Sequence, residues 1–226
     1  MKKVMRLKVL GALFLCVLGL TACGDTERQG TSSGKGADKS NAKDEMVTSI
    51  SVNKDGSIES RIVEEFEASY YDVAALRAMI EEAAADYSNE TAAAEVSLKG
   101  CEVVGGKVNV EIKYNDYNAY AGFNGETFFA GTIQDAYQAG FDLNMTLKSV
   151  DSNGDKTISK QELLGMGDNH IVIFARPLEE EEQPDGAVMR INCYENILYV
   201  GDNVSAVGKK SADVSIDQGV GVIVFE

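Results

Sequence analysis

The sequence predicts an α+β fold with a mainly antiparallel sheet, built from β-hairpins and accompanied by a few short helices. From Lys107 to Tyr114, polar and apolar residues alternate, which is typical of a strand with one exposed and one buried face. Lys54-Asp55-Gly56 and Gly105-Gly106 are turn signals, and each separates two runs of strand-forming residues. Segments with helical periodicity are few, so hairpins dominate the predicted architecture.

The first half of the folded region is predicted to contain two hairpins with a helix between them. The first hairpin pairs Thr48 to Asn53 with Ser57 to Phe66, and the second pairs Glu95 to Val104 with Lys107 to Tyr114. Between them, apolar residues recur at steps of three and four, which predicts a helix with one buried face. Those residues are Val73, Leu76, Ile80, Ala83 and Tyr87.

The second half combines a short helix with further strands. The helix is predicted over Thr132 to Ala139, with Thr132 as its N-cap and Gly140 at its end. Ile171 to Phe174 is apolar throughout and predicts a central strand, and Glu179 to Asp185 is predicted to be an acidic loop. The remaining predicted strands are Val188 to Cys193, Asn196 to Val200, Ala212 to Ile216 and Val220 to Phe225.

An aromatic stripe at three-residue spacing runs through Tyr114, Tyr117, Tyr120 and Phe123, with Asn and Asp residues between its members. Aromatic and amide groups together suit the binding of a sugar or a peptide. The same spacing is also typical of the buried side of a short helix. The sequence favours core packing for this stripe and leaves the binding interpretation as the alternative.

The N-terminus has the layout of a secretory signal peptide. Basic residues precede an apolar run, Val9 to Leu20, which is well short of the ~20 residues that span a bilayer. The run ends in Leu20-Thr21-Ala22-Cys23, which resembles the lipobox of bacterial lipoproteins. The resemblance implies cleavage before Cys23 and acylation of its thiol and of the new N-terminus. It also implies that the mature chain is held on the extracytoplasmic face of the cell membrane.

The chain therefore divides into three predicted regions, which are a signal peptide (1–22), a lipidated cysteine with a flexible tether (23–46) and one folded domain (47–226). The tether is predicted because Gly24 to Met46 is polar and has almost nothing apolar to bury. From Cys23 onward the chain has 17 Lys and Arg against 36 Asp and Glu, a net charge of −19. This charge repels phosphate backbones, so nucleic acid is excluded as a partner.

Residues 151–162 resemble the twelve-residue calcium loop of EF-hand proteins, which supplies about six to eight oxygen ligands to a hard cation. One departure is Lys156, which stands where the family has a glycine. The alternative is a turn at Asn153-Gly154 followed by a helix that Ser159 and Glu162 open as a capping box. The ligands that the resemblance implies are Asp151, Asn153, Asp155, the carbonyl of Thr157, Ser159 through water, and Glu162.

Other chemistry-bearing residues are sparse. Cys101 and Cys193 are predicted either to form a disulfide, which export permits, or to be two buried thiols. His170 is the only histidine, and neither an H-E-x-x-H pattern nor a G-x-S-x-G elbow occurs, which argues against a zinc hydrolase or a serine hydrolase. Paired carboxylates of the glycosidase kind stay open because acidic residues are abundant.

Two further segments, Ser51 to Ile58 and Ile197 to Val204, are similar to lipoproteins of unassigned activity from Gram-positive anaerobes. That resemblance implies a lipid in the outer leaflet of the cytoplasmic membrane. We expect a non-enzymatic binding or envelope-interaction module with a protein or glycan partner. The first alternative is a calcium-binding surface module that uses the 151–162 loop, and the second is a glycan hydrolase with two catalytic carboxylates.

Overall fold

The computed structural model describes residues 47–68, 71–151, 156–177 and 187–226. The predicted signal peptide, Cys23 and the tether lie outside the described residues, as does the acidic segment Glu179 to Asp185. Within the described part, the fold is α+β with two sheets whose strands are mostly antiparallel, which confirms the predicted class. No helix in these ranges is long and apolar enough to cross a bilayer.

The described strands, in chain order, are β1 (Ser49–Val52), β2 (Ile58–Glu65), β3 (Val96–Val104), β4 (Lys107–Tyr114), β5 (Thr127–Thr132), β6 (Leu147–Ser149), β7 (Thr157–Ile158), β8 (His170–Ala175), β9 (Val188–Asn192), β10 (Ile197–Val200), β11 (Val204–Ala206), β12 (Ser211–Ser215) and β13 (Gly221–Phe225). The described helices are α1 (Val73–Glu90), α2 (Tyr117–Asn124), α3 (Ile133–Gln138) and α4 (Lys160–Leu164).

The first sheet has seven strands in the order β11-β12-β9-β1-β2-β4-β3. Its β1–β9 pair is parallel, with Ile50 opposite Ile191, and its other described pairs are antiparallel. The second sheet has six strands in the order β5-β8-β13-β10-β6-β7, all antiparallel.

The helix boundaries follow from local capping. The Asp72 side chain accepts hydrogen bonds from the backbone N–H groups of Ala74 and Ala75 and so begins α1. Asp116 caps α2 in the same way, and Thr132 caps α3 as the sequence predicts. Gly125 ends α2 at φ 70°, a left-handed conformation that glycine adopts without strain.

The main core lies between the two sheets. One face of the seven-stranded sheet packs there with the buried sides of α1 and α2 and with one face of the six-stranded sheet. The second core lies on the other face of the six-stranded sheet, where residues of α3, α4 and the segment between β5 and β6 cover it. The central strands β8 and β13 of the six-stranded sheet are thus buried on both faces, and the seven-stranded sheet contributes one face to the core.

The hairpins predicted around Gly56 and Gly105-Gly106 are confirmed, and so are α1, α3 and the central strand over Ile171 to Phe174. The prediction omitted β5, β6, β7 and β11. Three of these four strands are only two or three residues long, so they exist because a neighbouring strand pairs with them. Within β5, Gly131 interrupts a short apolar run and weakens the sequence signal.

Candidate functional site

The outer face of the seven-stranded sheet forms a shallow depression of about 500 Å³ that crosses β9, β1, β2, β4 and β3. Ile50 and Val52 of β1 point into the core, so the alternate residues of this strand point into the depression. The same alternation holds along β2 and β4. We call this surface the polar trough, and its polar lining residues are Ser49, Ser51, Glu59, Ser60, Arg61, Lys99, Glu111, Lys113, Arg190 and Asn192.

Strand register brings residues far apart in the chain into one row across the trough. Ser49 lies opposite Arg61 on one side and opposite Arg190 on the other. Arg61 in turn lies opposite Glu111, and Arg190 lies opposite Asp213. The two arginines therefore flank a small residue at the centre of the row, and their carboxylate partners lie farther out.

Both arginines form salt bridges within this row. Arg61 donates from Nε and Nη2 to Glu111 Oε1 at 3.1 and 2.7 Å, and the two side chains are 37% and 38% exposed. Arg190 donates from Nε to Asp213 Oδ1 at 2.8 Å and from Nη2 to Oδ2 at 3.1 Å. The two-point contact fixes the guanidinium plane of Arg190.

A second row carries neutral donors and acceptors next to a lysine. Ser211 Oγ donates to Asn192 Oδ1 at 2.8 Å, and Asn192 Nδ2 donates to Ser51 Oγ at 3.3 Å. Ser51 lies opposite Glu59, which lies opposite Lys113. The trough therefore offers hydroxyl, amide, carboxylate and ammonium groups on one surface.

The charge of the trough differs in sign from that of the domain. Four basic residues (Arg61, Lys99, Lys113 and Arg190) and two acidic residues (Glu59 and Glu111) line the trough. With Asp213, which pairs with Arg190 at its border, the net charge is +1. Residues 47–226 have 13 Lys and Arg against 31 Asp and Glu, a net charge of −18. The trough is thus a locally cationic surface on a strongly anionic domain.

The 151–162 segment lies in and after the hairpin that β6 and β7 form. Asn153 and Asp155 lie outside the described residues, Asp151 is exposed, and Thr157 is in β7. The Glu162 carboxylate accepts hydrogen bonds from the Ser159 N–H at 2.8 Å and the Ser159 hydroxyl at 2.9 Å. These hydrogen bonds hold the pKa of Glu162 below its usual value, and the bond from the backbone N–H has the larger effect.

That geometry is the predicted capping box of α4. The segment before the loop contains strand β6, where an EF-hand has a helix. Among the residues that the structure describes, no three His, Cys, Asp or Glu side chains are placed to hold a metal ion. Calcium binding by this loop stays a prediction.

Cys101 on β3 and Cys193, directly after β9, are free and buried. Four strand spacings separate β9 from β3, or about 19 Å, whereas a disulfide needs Cα atoms within ~7 Å. The structure therefore supports two buried thiols, and the disulfide does not form in this fold. Burial raises the pKa of the Cys193 thiol to about 12 and raises that of Cys101 as well.

The aromatic stripe belongs to the core, as the sequence favours. Tyr114 and Tyr120 are fully buried, with ring centroids 5.1 Å apart, and Tyr120 also packs on Phe128 at 4.7 Å. The Tyr120 hydroxyl donates to Glu126 Oε2 at 2.6 Å, while Arg176 Nε donates to Glu126 Oε1 at 2.6 Å. This carboxylate is 5% exposed and fully paired, so it stabilises the core.

His170 also packs with aromatic side chains. Its ring stacks on Phe225 at 5.3 Å and meets the edge of Tyr194 at 5.4 Å. The Nδ1 atom is buried without a hydrogen-bond partner in the described part of the chain. Since no serine or cysteine nucleophile is hydrogen-bonded to this ring there, the arrangement does not resemble a hydrolase triad.

Comparison of the chain with protein-family models, curated proteins and solved structures finds no match in any of the three. The described residues form a two-sheet α+β fold in which none of them covers the outer face of the seven-stranded sheet. The residues of that face were not singled out from the sequence, because Arg61 and Arg190 become neighbours only through the β1–β9 pairing. The available signal was the polar half of each alternating strand.

Proposed function

We propose that this chain is an extracytoplasmic lipoprotein, anchored to the cell membrane through lipid on Cys23. Its folded domain binds a glycan or a protein through the polar trough and performs no catalysis. The polar trough is the observation that carries the binding role, because it is a cationic depression on an anionic domain. The anchor rests on the signal-like N-terminus and the lipobox resemblance of Leu20 to Cys23.

Binding is favoured over hydrolysis by the way the trough carboxylates are held. Glu111 and Asp213 are paired with Arg61 and Arg190, so their carboxylate oxygens already accept hydrogen bonds from guanidinium groups. A glycosidase needs one carboxyl group that stays protonated as a general acid and a second that is ionised. The two salt bridges support a structural role for Glu111 and Asp213. Glu59 is then the one carboxylate lining the trough that has no salt bridge among the described residues, whereas a glycosidase needs two free carboxyl groups.

The anchor is tested by fractionation of cells that express the full chain. We expect the wild-type protein to sediment with membranes, to need detergent for release and to incorporate a labelled fatty acid. A Cys23→Ser variant lacks the thiol that receives the lipid, so it should lose the label and appear in the soluble fraction. Equal labelling and equal membrane retention of the two proteins would contradict the proposed anchor.

The binding role is tested by obstruction of the trough. The full chain, purified in detergent, is screened against an immobilised panel of neutral and acidic glycans and peptides, with product release measured in parallel. Ser51→Trp places a large side chain at the centre of the trough without a change in charge. Ser205→Trp on the exposed edge strand β11 is the matched control. Retention without product release, lost only in Ser51→Trp, supports the proposal, and turnover of a panel member contradicts it.

A further inference from the structure

We propose that the ligand of the polar trough is an acidic polysaccharide, a chain of sugars that bear both carboxylate and hydroxyl groups. This inference rests on the proposed binding function and names the chemistry of the partner. It is carried by three features of the trough, which are its uncommitted cationic donors, its acceptors for hydroxyl groups and its elongated shape.

The cationic donors come from three residues. Lys99 and Lys113 form no salt bridge with any residue that the structure describes. Arg61 commits Nε and Nη2 to Glu111, and its Nη1 makes no hydrogen bond within the described ranges. Lysine and arginine N–H groups bind carboxylates through charge-assisted hydrogen bonds, which are roughly twice as strong as neutral ones.

Lys99 is brought to the trough by an irregularity in β3. The register of β3 against β4 shifts between Leu98 and Gly100, so Lys99 is the additional residue at this point. Gly100 then lies opposite Glu111, and the Glu111 side chain lies against the position that a Cβ at residue 100 would take. Bulges of this kind redirect a side chain, which here adds a cation to the border of the depression.

The acceptors distinguish a sugar chain from a plain polyanion. Glu59 and Glu111 lie among the cations, and they would repel a ligand that carries negative charge alone. A polysaccharide presents hydroxyl groups, which donate to carboxylates and exchange hydrogen bonds with the Ser49 and Ser51 hydroxyls. Mixed cationic and anionic lining therefore fits a ligand that has both carboxylates and hydroxyl donors.

The dimensions suit an extended chain. The trough crosses five adjacent strands, a span of about 19 Å from β9 to β3 at ordinary strand spacing. None of the described residues that line it is aromatic, so the proposed affinity does not rely on stacking against sugar rings. Affinity then comes from charge and hydrogen bonds at an exposed surface, and it must fall as salt screens the charges.

The experiment titrates three soluble probes into the full chain in detergent, with calorimetry as the readout. They are an oligogalacturonate, its methyl ester, which keeps the hydroxyl groups and removes the charge, and polyglutamate, which has carboxylates without hydroxyl groups. We expect the oligogalacturonate to bind at least about tenfold more tightly than either other probe, since the lost contacts are charge-assisted hydrogen bonds. Its affinity should decrease between low and high salt.

Two double variants test the location of the site. Lys99→Gln with Lys113→Gln should weaken oligogalacturonate binding by at least about tenfold. Lys148→Gln with Lys160→Gln changes the net charge by the same amount. These residues lie on β6 of the six-stranded sheet and on α4, away from the trough, so binding should be unchanged. Circular dichroism melts of both double variants establish that each protein is folded.

The other outcomes overturn the inference and are separable from failure of the proposed function. If the methyl ester binds as tightly as the oligogalacturonate and Ser51→Trp abolishes that binding, the trough binds a neutral glycan. The proposed binding function is then supported, and the acidic polysaccharide is contradicted as its ligand. Polyglutamate binding as tight as that of the oligogalacturonate assigns the trough to an acidic peptide. No binding of any probe overturns the acidic polysaccharide, and the panel with Ser51→Trp then decides the function alone.

Discussion

The two sheets differ in what covers them. In the six-stranded sheet, Val222, Ile223 and Val224 are all buried, because apolar layers pack on both faces. In the seven-stranded sheet, β4 alternates strictly between buried and partly exposed residues, because one face meets the core and the other meets solvent. A continuous apolar run and an alternating run in the sequence thus predict a covered sheet and a half-covered sheet, respectively.

The difference teaches where a partner can be accommodated. A substitution in the central strands β8 and β13 of the six-stranded sheet changes packing whichever way the side chain points. The outer residues of β1, β2 and β4 contribute little to the core, so they are free to be selected for ligand contacts. Four experiments compare how much substitutions at buried and at exposed positions change the stability of the protein.

The largest difference is expected for a buried charge. Val224→Asp places a carboxylate in the second core, and we expect it to lower the free energy of unfolding by more than about 4 kcal/mol or to prevent folding. Ser49→Asp introduces the same group between Arg61 and Arg190, so its effect should stay within about 0.5 kcal/mol. Urea denaturation followed by circular dichroism measures both, and similar losses would show that the outer face is not free of structural constraint.

The next comparison sets a buried ion pair against an exposed one. Glu126→Gln leaves Arg176, which is 20% exposed, without its charged partner and should cost about 3 kcal/mol. Glu111→Gln breaks a pair that is more than a third exposed, where solvent screening limits the cost to about 1 kcal/mol or less. Chemical denaturation measures the loss of stability in the two variants. A greater loss in Glu111→Gln would show that the exposed ion pair stabilises the fold more than the buried one.

Alkaline pH should destabilise the buried side of the seven-stranded sheet. Burial raises the pKa of Cys193 to about 12 in the folded state from an ordinary value of 9.0, so the unfolded state loses this proton first. The contribution of this thiol to the free energy of unfolding is therefore fully present below pH 9. It decreases as the pH rises towards 12, by roughly 3 kcal/mol at pH 11. Tyr114, whose pKa burial raises to about 12, acts in the same direction.

The control for this pH dependence is Cys193→Ala. It removes the thiol, so its stability should decrease less between pH 8 and pH 11 than that of the wild type. Unfolding curves at the two pH values give both slopes. Identical slopes would show that the thiol is not kept protonated by the fold.

The smallest effect is expected at Glu162. Glu162→Gln preserves the capping box and should change stability by less than about 0.5 kcal/mol, whereas Glu162→Ala removes it and should cost about 1 kcal/mol. Thermal melting with and without millimolar calcium measures both variants beside the wild type. A rise in Tm with calcium that Glu162→Gln abolishes would assign this carboxylate to a metal instead of to the cap.

Patterns confined to one element could be predicted from the sequence. The α1 face, the two glycine turns and the capping box at Ser159 and Glu162 each depend on residues a few positions apart, and the structure contains all of them. The short strands β6 and β7 could not be predicted, because two or three residues carry no periodicity. They form when Leu147 and Ile158 face each other across the sheet.

The polar trough could not be predicted for a related reason. Arg61 and Arg190 lie in two separate segments, and the pattern of each segment predicts only an ordinary half-exposed strand. They come to lie on either side of Ser49 because β1 pairs in parallel with β9, a pairing between distant parts of the chain that leaves no local signal. The relation between Cys101 and Cys193 was open for the same reason, since strand order alone decides how far apart they lie.

The position of β13 has a consequence for the timing of folding. This strand lies inside the six-stranded sheet, between β8 and β10, and it follows every other described strand in the chain. A growing or emerging chain therefore carries β8 and β10 with unpaired apolar edges until residues 221–225 arrive. Such edges recruit the edges of other unfinished copies, and contacts between distant segments form slowly. The domain thus completes its fold late and cooperatively, and the yield of folded protein depends on how well incomplete chains are kept apart.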